Sequence, residues 1–481
     1  MTTFGLRGFC RSAFIGAAIA AVTLASAPGA LASPGEWTQL SNYSAATTVP
    51  QMSNTAEPTL ARFGSSVQVL WSGDTSTGSG YETAIVDGSG HVTTAATPAI
   101  SSWSAVIQNP RLISLGGQRF LVFSGLDPTH TGAAYYATSA DGVSWAVGPG
   151  SLSAANSVYA GYGNDAVDNA GTPVWAGQSS SSSGVNWHSG ISPTAPAPAG
   201  TDGFFGLSGC CAYNTAVARD EATGAVYAAF SSNASGTTEK GIQVGQILPT
   251  QGTFAQVPGS VTVNDYGTNG TDPGGRVAMT ARAGGGVFMA FPTGYPNVTG
   301  IRVIEIGTNR AMDIAVSGRV GRVSLTSDPA GRLWLVYAKD NRIKALHTNT
   351  AATTFGATGS WGAPAGTDTI WKSAALGSAG GLDIVVASSR ADGKINVWHT
   401  QATRTLSVSA APASTRRGNS VTFTVKDAGD PVSGATVKFN GHTASTNAAG
   451  KATLTARSRG RATVTAKKAG YNTGSTTVRV R

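Results

Sequence analysis

The chain has 481 residues and a formal charge of +9, and only 12% of its residues are Asp, Glu, Lys or Arg, about half the usual share. Its 63 Gly, 21 Pro and 41% hydrophobic residues, with no long Glu/Lys/Leu-rich stretch of helical period, exclude a coiled coil, a large helical bundle and a wholly disordered chain. The length suits roughly two to four domains, or one large all-β domain with a small one.

The first residues form an address. Arg7 and Arg11 precede an apolar run over 13–24, and Ala30-Leu31-Ala32 offers small residues to a signal peptidase cutting before Ser33. Residues 1–32 are therefore expected to be a secretion signal. The run is shorter than the roughly 18 residues of a membrane span, and none follows later. A soluble, secreted monomer is expected, extracellular or wall-associated. Cys10 leaves with the signal, so the mature chain keeps Cys210 and Cys211.

Residues 33–403 repeat a unit of short strands. The second strand of each unit is the clearest part: SVQVLWSG (66–73), QRFLVFSG (118–125), GTPVWAGQ (171–178), GAVYAAFSS (224–232), GGVFMAFP (285–292), GRLWLVYA (331–338) and GLDIVVASS (381–389). A repeat of about 50 residues suits four-stranded propeller blades. The predicted fold is all-β, a seven-bladed propeller with six or eight blades as alternatives. Fourth strands are expected at Trp145, Phe254 and Trp361, and GEWTQL (35–40) is expected to complete the last blade and close the ring.

In a propeller the first strands line the channel, so equivalent positions near their starts converge. The predicted starts are EPTLA (57–61), NPRLI (109–113), NDAVD (164–168), NTAVA (214–218), GRVAM (275–279), GRVSL (321–325) and WKSAA (371–375). Arg111, Arg276, Arg322 and Lys372 then form a ring of cations, with Asn109, Asn164, Asn214 and Tyr213 beside them as ligand-binding residues. Guanidinium forks suit carboxylates because they donate two parallel hydrogen bonds. A glycosidase needs two carboxyl groups about 5 to 9.5 Å apart, and Glu57, Asp165 and Asp265 are the candidates. The alternative is that the arginines pair with acids of neighbouring blades and the lone acids serve turns.

SADGVSW (139–145) resembles the Asp-box of sialidase-like propellers, one residue short between Asp141 and Gly142. The resemblance implies a turn between the third and fourth strands, away from the active face. Sialidases also hold a sugar carboxylate with three arginines, and NPRLI resembles their first Arg-Ile-Pro segment, with the proline on the other side of Arg111. No Tyr follows Arg322 at the distance of their nucleophile; Phe355 and Trp361 occupy that stretch. The resemblance therefore implies the fold and the arginines, but not sialidase activity.

Cys210 and Cys211, in FFGLSGCCAYN, have no other cysteine available, so an eight-membered vicinal disulfide is expected. Two free thiols and an intermolecular bridge are the alternatives. The disulfide either makes a stiff plate beside Phe204, Phe205 and Tyr213 on which a sugar ring stacks, or only fixes its loop. His188, His347 and His399 share one third-strand position, which repetition explains without a metal. NDYGTNGTD (264–272) is partly calcium-like, but Arg276 stands where a calcium loop needs its last acid. No metal, cofactor or nucleic acid is expected.

From Arg404 onward 13 basic residues face two acids, a net +11, while residues 33–403 carry −4. The basic character belongs to this tail alone. Strands LSVSA, SVTFTVK, ATVKF, KATLTA, RATVTAK and TTVRV alternate between Gly and Asn turns. DPVSGATVKF (430–439), TNAAGKATLT (446–455) and AGY (469–471) resemble bacterial Ig-like and carboxypeptidase-regulatory-like domains, which implies a non-catalytic β-sandwich over 404–481. Its charge suits anionic wall polymers, or is simply a solvated surface. The functional expectation is a secreted propeller acting on or binding an extracellular, acidic glycan, as a glycoside hydrolase or polysaccharide lyase. A lectin-like or adhesion module, or a protein scaffold, is the alternative.

Overall fold

The computed structural model describes residues 37–41, 58–75, 78–103, 105–106, 110–126, 133–148, 152, 163–179, 183–190, 201–208, 212–233, 239–260, 276–294, 298–308, 310–318, 320–367, 369–389 and 395–481. All the regular structure among them is β. The body is a propeller-type array of antiparallel sheets. Seven are found among the described residues, each a meander of four strands, the second with a short extra strand Ala105–Val106. Their innermost strands are Thr59–Phe63, Arg111–Leu115, Asn164–Asn169, Ala212–Arg219, Ala278–Ala281, Gly321–Ser327 and Thr369–Ser378. Each innermost strand lies beside the next, and the seventh beside the first.

Period-two alternation explains the array. Each second strand is apolar on both faces, so its odd and even residues pack against different neighbours. Leu121 and Phe123 join the first sheet's Leu70 and Tyr81, while Phe120 and Val122 join the third sheet's Trp175. Leu333 and Leu335 pack with Phe288 of sheet five, and Trp334 and Val336 with Ile384 of sheet seven. The last gap is filled by Trp71, Val69 and Val385 of the first and seventh sheets. Burying each such side chain contributes roughly 1.5–3 kcal/mol.

The seventh sheet borrows its outermost strand from the start of the chain. Thr38–Gln39 pairs with Ile395–Ala402, Thr38 opposite His399 and Gln39 opposite Trp398. Trp37 Nε1 also donates to Gly362 O of sheet six at 2.7 Å. The fourth strands after Trp145 and Phe254 are Ala146–Val147 and Ala255–Gln256, whereas Trp361 lies within its strand, Gly359–Gly362.

After Ala402 two further sheets share one core. Ser407–Ala411, Ser420–Asp427, Asp430–Pro431 and Lys451–Thr455 make one. Ser414–Thr415, Gly474–Val480, Gly460–Lys467, Thr436–Phe439 and His442–Ser445 make the other. Phe423 and Phe439 meet edge to face between them, 5.1 Å apart, among Val421, Val437, Val464 and Val478.

Candidate functional site

In a meander the start of the first strand and the turn joining the third and fourth strands lie at opposite ends. The near face of the propeller thus carries the starts of the innermost strands, and the far face carries the Asp-box-like turn. At the near face three sheets meet on one carboxylate. Asp165, 3% exposed, presents Oδ1 to Arg111 Nε at 3.0 Å and to Arg276 Nε at 3.6 Å. Its Oδ2 accepts from Val217 N at 2.8 Å. Val217 N is the hydrogen-bond donor to this carboxylate, while the two guanidinium groups lie beside Oδ1 as charges without hydrogen-bond geometry.

Arg276 does more than pair with Asp165. It stands ahead of the fifth sheet, yet its Nε is 3.2 Å from Asn164 O and its Nη2 donates to Pro110 O of the second. One side chain therefore crosses the channel between non-adjacent sheets. Tyr81, fully buried in the core between the first and second sheets, feels the Arg276 charge; burial pushes its hydroxyl well above the usual tyrosine range against that charge.

The neighbouring polar residues hold the backbone. Asn164 Oδ1 accepts from Trp175 Nε1 at 3.0 Å. Asn214 has φ of 61°, a conformation Asn tolerates; its Nδ2 donates to Ser231 Oγ at 3.1 Å and its O accepts from Val277 N at 2.9 Å. Gly163, at φ +120°, allows the third and fourth sheets to approach, since a Cβ there would stand 2.6 Å from Thr215 N. Tyr213 is half-buried, and its carbonyl accepts from Ser231 Oγ at 3.3 Å.

The structure thus brings together Arg111, Asp165, Arg276, Asn164 and Asn214. Lys372 is 1% exposed, at a bulge after Ile370, so it is buried in the seventh sheet instead of lining an open ring of cations. Arg322 stands in Gly321–Ser327, with its side chain outside the described residues. Glu57, Asn109, Asp265, Cys210, Cys211 and the 264–272 loop also lie outside them. Phe204 and Phe205 need a correction: both belong to Thr201–Gly206, the outermost strand of its sheet, not to the channel mouth. Phe205 stacks on Phe254 at 4.2 Å, which fills the gap to the next sheet.

On the far face the turn 139–145 holds itself together. Asp141 Oδ1 accepts from Val143 N and Ser144 N, both at 2.8 Å, and Gly142 N donates to Ser139 Oγ at 2.8 Å. Those backbone hydrogen bonds, Ser144 first, hold the Asp141 carboxyl well below the usual range. Gln68 Nε2 donates to Gly142 O at 2.7 Å and so ties the turn to the first sheet.

Sequence reasoning missed a junction on this far face. His347 Nε2 and Asp427 Oδ1 of the tail are 2.5 Å apart, and Arg332 and Arg404 each approach Asp427 Oδ2 at 3.6 Å. Burial acts to raise the Asp427 carboxyl, but the His347 contact and both arginine charges outweigh it and lower it. Thr350 N donates to Asp430 Oδ2 at 2.8 Å. The other two repeat histidines also have carboxylates: His188 Nδ1 meets Asp202, and His399 Nε2 meets Asp383 Oδ1 at 3.0 Å. The legible signal was arithmetical: a tail with two acids, three residues apart, holds them for a purpose.

No protein-family model matches the chain, and no curated protein does. Among solved structures, a puromycin-hydrolysing peptidase of Mycobacterium tuberculosis is 12% identical over 76% of this chain, with a TM-score of 0.45. The chain spans about half, 54%, of that protein's length. The polysaccharide lyase Uly1 is 9% identical, with 76% of this chain covering 94% of it at a TM-score of 0.41. An exo-beta-1,3-galactanase from Phanerochaete chrysosporium is 13% identical, with 76% of this chain covering 92% of it at 0.32. These likenesses carry no activity to this chain.

Proposed function

We propose that the protein is an exported, sialidase-like seven-bladed propeller that binds an acidic extracellular glycan on its near face. In this reading residues 1–32 are a cleaved signal, 33–403 the propeller and 404–481 an Ig-like tail. Cys210 and Cys211 form a vicinal disulfide beside the fourth innermost strand, the protein is a monomer, and its basic tail draws it toward anionic polymers.

One observation supports the glycan reading more than any other. Arg111 is 35% exposed, its Nε is anchored at Asp165, and its Nη atoms donate no hydrogen bond to protein among the described residues. A guanidinium fixed at its stem and open at its fork suits a sugar carboxylate. Asp165, with Oδ1 3.0 Å from Arg111 Nε, is the counter-charge at the base of that fork. Arg276 is the brace behind it.

The test is calorimetric titration with neutral oligosaccharides and with their uronate- or sialate-bearing counterparts. Only the acidic ones are expected to bind. Arg111→Ala is expected to weaken them about tenfold or more, and Arg111→Lys, which keeps the charge without the fork, to restore little. Equal binding of neutral sugars, or an unchanged Arg111→Ala protein, would overturn the reading. Mass spectrometry of the same mixtures decides whether the bound glycan is also cleaved.

A further inference from the structure

The tail has two acidic side chains, and both face the propeller: Asp427 meets His347, and Asp430 accepts from Thr350 N. Of its 13 cations, only Arg404 joins them; the other twelve are exposed. The outward surface of the tail therefore carries cationic side chains without acidic ones.

Those cations are sorted along the strands. The Asp427 end of Ser420–Asp427 abuts the propeller. At the opposite end the turns 416–419 and 456–459 converge with the last residues: Gly418 N donates to Ala456 O at 2.7 Å and Arg417 N to Arg481 O at 3.1 Å. Arg416 and Arg417 occupy the first turn, and Arg457 and Arg459 the second. Arg461 and Arg479 stand directly opposite each other on adjacent strands, with Arg481 beyond. This distal pole contains arginine and no lysine. The lysines occupy the middle and the propeller half; Lys438 pairs with Thr465, and Lys451 with Thr424.

Fold stability does not favour such a pole. Like charges directly opposite on neighbouring strands repel, and none of these seven guanidinium groups has a hydrogen bond or ion pair to protein among the described residues. Neighbouring strands are about 4.8 Å apart, so Arg461 and Arg479 can share one tetrahedral anion or take two in succession. Guanidinium, with its planar fork, recognises phosphate bidentately where lysine offers only a point charge. No large apolar side chain of the tail is exposed, so the pole lacks the stacking platform that single-stranded nucleic acid needs.

We propose that this arginine pole is a binding site for a linear polyanion of phosphodiester repeats, a poly(polyol phosphate) of the wall type, gripped through successive phosphates. The choice of a wall polymer over nucleic acid rests on the export reading above; the pole itself is independent of the glycan site. It lies on the side of the tail away from the propeller, so both sites can be occupied together.

The test measures binding of the full-length protein to immobilised poly(glycerol phosphate). Affinity is expected to fall at least tenfold between about 50 and 200 mM salt. Replacing Arg416, Arg417, Arg457 and Arg459 by Ala is expected to weaken it at least tenfold, and replacing Lys426, Lys438 and Lys451 by Ala less than threefold. If the arginine variant does not fold, phenylglyoxal labelling of the wild-type protein serves instead: the polymer is expected to protect Arg457 and Arg459. Equal losses in the two variants, or no protection, would overturn the site. Binding of duplex DNA as tight as that of the phosphate polymer, or of polygalacturonate as tight to the Arg111→Ala protein, whose near-face fork is removed, would overturn the assigned ligand. Arg111→Ala is expected to leave polymer binding unchanged, so failure here and failure of the glycan reading are read separately.

Discussion

In the body of the molecule ten described arginines, from Arg62 to Arg342, each reach a carboxylate, amide, hydroxyl or carbonyl of the protein. In the tail Arg404 alone does so, at the junction. In the body the acceptor comes from a neighbouring sheet, as for Arg62, Arg119 and Arg282, or from the arginine's own sheet, as for Arg302 and Arg342. The tail has a small core and two acids, both at the junction. In a chain with so little charge, the described body arginines tie the fold to itself, whereas the tail arginines beyond Arg404 have no such partner among the described residues. Arg111 belongs to both groups, anchored at Nε and open at its fork.

The largest expected effect comes from removing the carboxylate that three sheets share. Asp165→Ala takes one carboxylate partner from Arg276, 11% exposed, and is expected to cost about 3–5 kcal/mol, as breaking a buried pair does. Urea unfolding measures it. A loss below about 1 kcal/mol would mean that the channel-crossing arginine does not depend on Asp165.

The junction tests the comparison from the other side. Asp427→Ala is expected to cost about 3 kcal/mol and to expose 403–406 to proteolysis while the seven sheets stay folded. Because the folded Asp427 carboxyl lies below its unfolded value, near 3.9, its contribution is complete above that pH and is lost as pH falls through the folded value. The tail should therefore stay docked at neutral and mildly acidic pH and detach only below about pH 4. Small-angle scattering across pH checks this, and release between about pH 5 and 7 would contradict it.

A smaller effect is expected at the Asp-box-like turn. Gly142 has φ +85°, and a Cβ there would stand 2.7 Å from Arg119 Nε and Gln68 Oε1. Gly142→Ala is expected to cost about 1–2 kcal/mol, measured by thermal unfolding. The smallest belongs to the pole: replacing Arg457 and Arg459 by Ala is expected to change stability by less than about 0.5 kcal/mol.

The strands were legible because the middle of each second strand is buried on both faces and must be apolar, as FLVF (120–123) and LWLVY (333–337) are. The borrowed strand at Thr38–Gln39 was legible because an open ring leaves an unpaired edge that a Trp-led fragment can fill. The starts of the innermost strands could be aligned, but their side-chain partners could not. Arg276 aligns with Arg111 and Lys372 by register, yet one crosses the channel, one faces solvent and one is buried. Those fates depend on a bulge at Ile370, on Gly163 and on the distance across the ring, none of which repeats in sequence. His347 shows the same limit. Repetition accounts for its position, while its carboxylate lies 80 residues on, in another sheet pair.

The most direct measurement is arginine-selective labelling of the folded protein, with the rate at each site read by mass spectrometry. The account predicts that Arg416, Arg417, Arg457 and Arg459 react fastest, that Arg111 follows and is shielded by an acidic glycan, and that Arg276 reacts only on unfolding. Arg276 reacting as fast as the tail arginines in the native protein would contradict it.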